Sequence, residues 1–290
     1  MGDVSGLSPG FLGGVAFAFG LVVGSFLNVV VHRLPAGESV VWPGSRCPAC
    51  RQAIAPWDNV PVLSFLWLRG RCRNCGVQIS WRYPAFEMLT GLVFAAIALR
   101  YGWTLATPVW LLFAAILLAT AAIDFDHQII PDELSLGGLA VGLVAMPLLA
   151  VAGGGAAWPA LRDAALGAFL GGGSLWLIGF AHARISVAMG RTFEHWPGEG
   201  EELPKPASFD YWTWFPGLGF GDVKLLAMIG AFLGPFGVLA TIVFASLAGL
   251  ALGVGWGLAT RRFSAPFGFA PAIAAGALLA LLVPSTIGGF

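Results

Sequence analysis

The sequence predicts an all-α integral membrane protein with about eight transmembrane helices and a zinc-bound cytoplasmic loop domain. Three observations carry that reading. The 290 residues are 58% hydrophobic and 10% charged, whereas soluble domains carry about 25% charged residues. Apolar runs long enough to cross a bilayer recur along the chain. Its four cysteines form two C-x2-C pairs inside one polar stretch. The formal net charge is zero, which argues against a nucleic-acid partner.

The first apolar run, 10–31, has no Lys or Arg before it and no obvious small-x-small cleavage site. It reads as a retained helix and not as a signal peptide. Further spans are expected at 84–100, 105–124, 134–153, 160–182, 222–235, 237–258 and 267–286. Pro131, Pro159, Pro235 and Pro266 mark junctions, as helix breakers do. The sixth span is short and glycine-rich, and its small residues fit it for packing among neighbours. Two polar stretches interrupt the series, at 32–83 and 183–221.

Arginine and lysine orient the chain. Arg33, Arg46, Arg51, Arg69, Arg71, Arg73 and Arg82 lie in or beside the first polar stretch. Arg184, Arg191, Lys205, Lys224, Arg261 and Arg262 fall on the same side, leaving only Arg100 and Arg162 opposite. Thirteen against two places both polar stretches in the cytoplasm and both termini in the periplasm.

Cys47-Pro48-Ala49-Cys50 and Cys72-Arg73-Asn74-Cys75 are separated by 21 residues. Two such knuckles supply four thiolates to one tetrahedral Zn²⁺, which is coordinatively closed and therefore structural. Disulfides are the rival, disfavoured on the reducing side of the membrane. Gly24-Ser25-Phe26-Leu27-Asn28 places an amide in an apolar helix, where it should bond another helix or the loop. Glu87, one turn into the second span, needs an internal partner: it lines a cleft or pairs with an arginine.

The chemistry concentrates on Gly219-Phe220-Gly221-Asp222 with Lys224 beyond it. A carboxylate where a polar loop meets an apolar run marks function, and its flanking glycines let a second backbone or an extended substrate approach. The alternative is an Asp capping the helix it starts. Three acids compete as its partner. Asp132 follows Pro131 and suits capping of the fourth span, while Asp126 is about 200° around a helix from Asp124. Asp124, between Ile123 and Phe125, is favoured. Two carboxylates at one membrane face predict a dyad that activates water. Asp222 at a helix start is expected to be the ionised member, supported by Lys224, and Asp124 at a helix end the protonated one.

The sequence resembles the type IV prepilin peptidases, bifunctional leader peptidases and N-methyltransferases of the GxGD membrane aspartyl class. The likeness rests on several stretches: Gly24–Asn28 with Arg33-Leu34-Pro35, the knuckles, and Trp57-Asp58-Asn59-Val60-Pro61. Others are Leu68–Cys72, Ile79–Glu87, Asp124–Asp132 and Gly219–Leu225. The resemblance implies that Asp124 and Asp222 are catalytic, with Gly219, Gly221 and Lys224 supporting the motif. It implies structural Zn²⁺ on Cys47, Cys50, Cys72 and Cys75, and S-adenosylmethionine as methyl donor at residues left unassigned. Prepilins and pseudopilins of type IV pili and type II secretion would be cut at the cytoplasmic face of the inner membrane and N-methylated. Residue 1–31 would be a first helix, 32–83 a zinc loop linked to methylation, and 84–290 the peptidase domain.

One departure is the stretch 192–216, with Glu194, Glu199, Glu201, Glu202 and the aromatic run Tyr211–Phe215. It reads as a solvated loop, with contact to the basic leader as the alternative. A proton-coupled transporter would use the same carboxylates as a relay. The cysteine loop and the lack of a mid-membrane carboxylate speak against it.

Overall fold

The apolar runs form α-helices, because backbone groups within a bilayer must be satisfied inside their own segment. The structure is a computed structural model that describes residues 8–191, 203–216, 218–260 and 268–283. Among them there is no strand beyond isolated bridges. The chain divides into two units, Met1–His127 and Gln128–Phe290.

In the first unit α1 spans Pro9–Arg33, with Pro9 at its first position and Ser8 Oγ accepting from Phe11 N at 3.3 Å. The polar stretch that follows carries a 3₁₀ turn at Pro56–Asp58 and the five-residue α2, Leu63–Trp67. Two further long helices follow, α3 (Arg82–Tyr101) and α4 (Ala106–His127). Small residues let α1 lie against α3: a Cβ on Gly24 would stand 2.8 Å from Glu87 Cα. Packed on both, α4 has no polar stripe, and Phe113, Leu117 and Ile123 are fully buried. Apolar residues all around a helix are what a central position requires.

The second unit holds α5 (Asp132–Ala152), α6 (Ala157–Ala188), the single turn α7 (Asp210–Thr213), α8 (Phe220–Thr260) and α9 (Ala270–Leu282). Packing runs from α8 to α5, α6 and α9. Helix α8 is two limbs and not one rod. Gly234 adopts φ 67°, ψ −174°, a conformation that needs glycine, and Pro235 follows without an N–H. In a straight helix Leu226 and Val238 would be about 18 Å apart. Yet a Cβ on Gly171 of α6 would touch the Leu226 carbonyl and lie 2.8 Å from Val238 Cγ2. The chain therefore doubles back at Gly234. Leu225, Met228, Ile229 and Phe232 of the first limb are completely buried, as its small-residue composition implied.

Among the described residues six helices are long and apolar enough to cross a membrane. The expected count of eight spans is not fixed by this. It depends on the two limbs of α8 and on α9, which has thirteen residues. The expected span at 267–286 is helical over Ala270–Leu282, and 284–290 lie outside the described residues.

Candidate active site and metal centre

The two cysteine pairs fold as copies of one knuckle. Cys47 N donates to Gln52 O at 3.0 Å, and Cys72 N to Val77 O at 2.9 Å. The residue after each second cysteine, Arg51 (φ 58°) or Gly76 (φ 72°), takes the same left-handed turn. All four Sγ atoms lie within 4.8 Å of one another, and Cys47 Sγ is 3.8 Å from Cys75 Sγ. Zn–S bonds of about 2.3 Å in a tetrahedron require S···S edges of about 3.8 Å, and disulfides require about 2.05 Å. The cysteines are unbridged, and their geometry fits a tetrahedral metal. The Cys50 backbone N–H, with help from Ala49 N–H and the Cys72 and Cys50 side chains, pulls the Cys47 thiol to about 7 against its burial. At Cys75 the Val77 N–H pulls downward, but burial and the other three thiols push the group up to about 11.

Two further contacts hold this stretch. Arg33, at the end of α1, donates to the carbonyls of Ser39 (3.1 Å), Pro43 (2.6 Å) and Gly44 (3.3 Å). Arg73, inside the second knuckle, grips Asp58 with Nε to Oδ2 at 2.7 Å and Nη2 to Oδ1 at 2.5 Å. The Arg73 hydrogen bond and charge hold the Asp58 carboxyl below the usual carboxylate range.

Glu87 is buried at 8% exposure but does not pair with an arginine. Its Oε2 accepts Val62 N at 2.8 Å, and Ser25 is a second partner. That bond holds Val62 at φ 60°, a strained value for a β-branched residue. Asn28 reaches the Tyr83 carbonyl at 3.3 Å, the interhelix bond expected of it.

Asp124 lies in the last turn of α4 and is 6% exposed. One turn earlier Thr120 Oγ1 is buried without a hydrogen-bond partner among the described residues. Asp126, two residues beyond Asp124, faces elsewhere and pairs with Arg82 at 2.7 Å.

Asp222 is the third residue of α8. Its N–H donates to Gly219 O at 3.1 Å, and its carboxylate folds back, 3.4 Å from where a Gly219 Cβ would be. The side chain thus stands at a helix start, where unpaired N–H groups favour a carboxylate. Three expectations meet this geometry. At Gly221 it is this chain's own Ile130 that comes close, its Cβ 2.9 Å from where an added Cβ would stand, an approach that only a glycine allows. Lys224 is ion-paired with Asp132 and lies 5.7 Å from the Phe220 ring centroid. Asp132 makes no cap bond to α5; the Lys224 ammonium competes better for its carboxylate.

The stretch read as a solvated loop divides. Residues 192–202, including Glu194, Glu199, Glu201 and Glu202, lie outside the described residues. The aromatic part, however, packs on α6. Trp212 stacks on Phe180 at 5.3 Å, Trp176 stacks on Phe180 at 5.0 Å, and Arg184 sits 3.8 Å over the Tyr211 ring. Phe215 is 3% exposed beside Gly179 and Ala183. Trp176, Phe180 and Arg184 recur every fourth residue on α6, a helix stripe visible in the sequence and missed. The aromatic run meets that stripe and leads directly into Gly219 and Asp222.

Comparisons with known proteins give the site its context. Residues 18–101 match the Bacterial Peptidase A24 N-terminal domain, and residues 111–254 the Type IV leader peptidase family. Relatives named prepilin leader peptidase/N-methyltransferase match across both parts. That of Neisseria gonorrhoeae is 34% identical over 297 residues, covering 94% of this chain and 91% of the relative. The chain belongs to the type IV leader peptidase family. The relative from Myxococcus xanthus is 39% identical over 260 residues, covering 88% of this chain and 67% of its own. The one from Pseudomonas aeruginosa is 35% identical over 287 residues, covering 91% and 87%. No solved structure matches the chain. As a type IV leader peptidase family member with membrane-spanning helices and a four-thiol cluster, the chain fits the bifunctional peptidase and methyltransferase enzymes that its relatives are named for.

Proposed function

We propose that this chain removes the leader of prepilins and pseudopilins at the cytoplasmic face of the inner membrane and N-methylates the new N-terminus. The observation that carries this is the one-third identity, over more than nine-tenths of the chain, to a relative named for both activities. Asp124 and Asp222 are the peptidase carboxylates. Asp222, favoured as a carboxylate by the start of α8, takes a proton from water as the hydroxyl attacks the scissile carbonyl. Asp124, in apolar surroundings near the end of α4, gives its proton to the carbonyl oxygen. Collapse of the tetrahedral intermediate returns a proton to the departing amine and frees the mature N-terminus.

S-adenosylmethionine, when bound, supplies the methyl group that the new amine acquires. Cys47, Cys50, Cys72 and Cys75 would hold Zn²⁺ as a structural ion, with no step passing through it. On this reading residues 32–83 support methylation, residues 84–290 carry proteolysis, and the arginine asymmetry puts both activities at the cytoplasmic face.

The test uses the full chain in nanodiscs with a prepilin and S-adenosylmethionine, followed by N-terminal mass analysis. Asp124→Asn and Asp222→Asn should each lower cleavage by about 10²–10⁴-fold, the scale of lost acid–base catalysis. Asp126→Asn and Asp132→Asn should keep most activity, because these acids serve Arg82 and Lys224. Near-normal cleavage by either of the first two removes that residue from the dyad.

A further inference from the structure

We propose that α2 is an interfacial helix that seats the cysteine loop on the bilayer, its apolar face among lipid chains and its flanking arginines on anionic phosphate headgroups.

The helix is inverted relative to a helix that buries its apolar face in protein. Its small, polar Ser64 points inward, with Oγ donating to Trp57 O at 2.9 Å and accepting Val60 N at 3.0 Å. Beside it Phe65 lies against Gly70. Leu63, Leu66 and Trp67, spaced to share one face, are 65%, 64% and 82% exposed. An outward apolar face on a loop this polar calls for an apolar partner.

Depth identifies that partner as lipid. Val62, the residue before α2, donates its N–H to Glu87, which lies five residues into α3. Five residues of helix are about 7.5 Å, and the interfacial layer on each side of a bilayer is about 5–7 Å thick. The start of α2 is therefore tied to a membrane-spanning helix at the level where headgroups meet acyl chains. Trp67 is the residue type that favours that level.

Charge points the same way. The turn that ends α2 closes through Gly70 N to Phe65 O at 2.8 Å, and it leaves Arg69 and Arg71 exposed just past the apolar face. The stretch 34–81 carries five arginines against Glu38 and Asp58. A basic leader peptide, the substrate class of the proposed function, would be repelled here. Anionic lipid would be attracted.

A photoreactive diazirine analogue of phenylalanine at Trp67, and separately at Leu66, tests this in the full zinc-loaded chain in nanodiscs of phosphatidylethanolamine and phosphatidylglycerol. Irradiation should give phospholipid adducts at both positions, with phosphatidylglycerol enriched about twofold or more over its bulk share. R69Q/R71Q should return that share to bulk and leave lipid labelling intact. An adduct to residues 128–290, to a second copy or to an added prepilin, or no lipid adduct at either position, overturns the proposal. Lipid adducts at the bulk phosphatidylglycerol share overturn its arginine part.

Discussion

The two polar stretches of this chain solve one problem in different ways. Residues 34–81 have almost no apolar core: Cys47 and Ser64 are their buried side chains of note. They are held by four convergent thiols and the Asp58–Arg73 pair. Residues 203–218 have no thiols and instead lay Tyr211, Trp212 and Phe215 on Trp176, Phe180 and Arg184 of α6. A metal fixes a loop from its middle, independently of what lies around it. Aromatic stacking fixes a loop only against a helix already in place. On the proposed zinc site, chelation would undo the first stretch, whereas the second would yield only to a change in α6.

The largest effect should come from removing the metal. Structural zinc supplies on the order of 10 kcal/mol in small zinc-folded units. Purified chain should hold about one zinc, as a four-thiolate site requires. Cys72→Ser or a strong chelator should speed amide exchange across 46–78 and cut methylation at least as much as cleavage. Full protection without metal would break the contrast.

A smaller effect is expected from Phe180→Ala. Aromatic pairs contribute about 0.5–1.5 kcal/mol each, so losing the stacks on Trp176 and Trp212 should destabilise 209–218 by roughly 2 kcal/mol. Exchange there should rise and cleavage fall, because this segment leads into Asp222, while zinc content stays unchanged. Equal loosening of 34–81 would show that the two stretches are not held separately.

The smallest effect concerns Asp58. Arg73 holds its folded carboxyl below the ordinary value, so the pair's contribution is full above about pH 4 and fades as pH falls below that. Arg73→Gln should flatten the acid limb of a thermal-stability profile and change little at neutral pH. An unchanged acid limb would assign the pair no part in holding the loop.

Much of this was legible in the sequence, for reasons that differ by residue. The knuckles were readable because C-x2-C spacing dictates its own local geometry. Asn28 was readable because an amide in an apolar helix must find a partner. The break at 234–235 was readable because Pro235 separates two apolar runs. What could not be read were partners distant in sequence. Nothing local to Gly221 announces Ile130, and nothing near Lys224 announces Asp132. Glu87 was expected to line a cleft or to pair with an arginine, and its partner is the backbone N–H of Val62 from the polar stretch. The aromatic run was misread because acidic composition next to it dominated the reading, although the stripe on α6 was there to be matched.

The reversal at Gly234 also sets parity. A single crossing would leave Phe220 and Thr260 on opposite faces of the membrane, and a chain that doubles back returns them to the same one. Removing the turn would not merely straighten a helix. It would send α9 through the bilayer in the opposite direction.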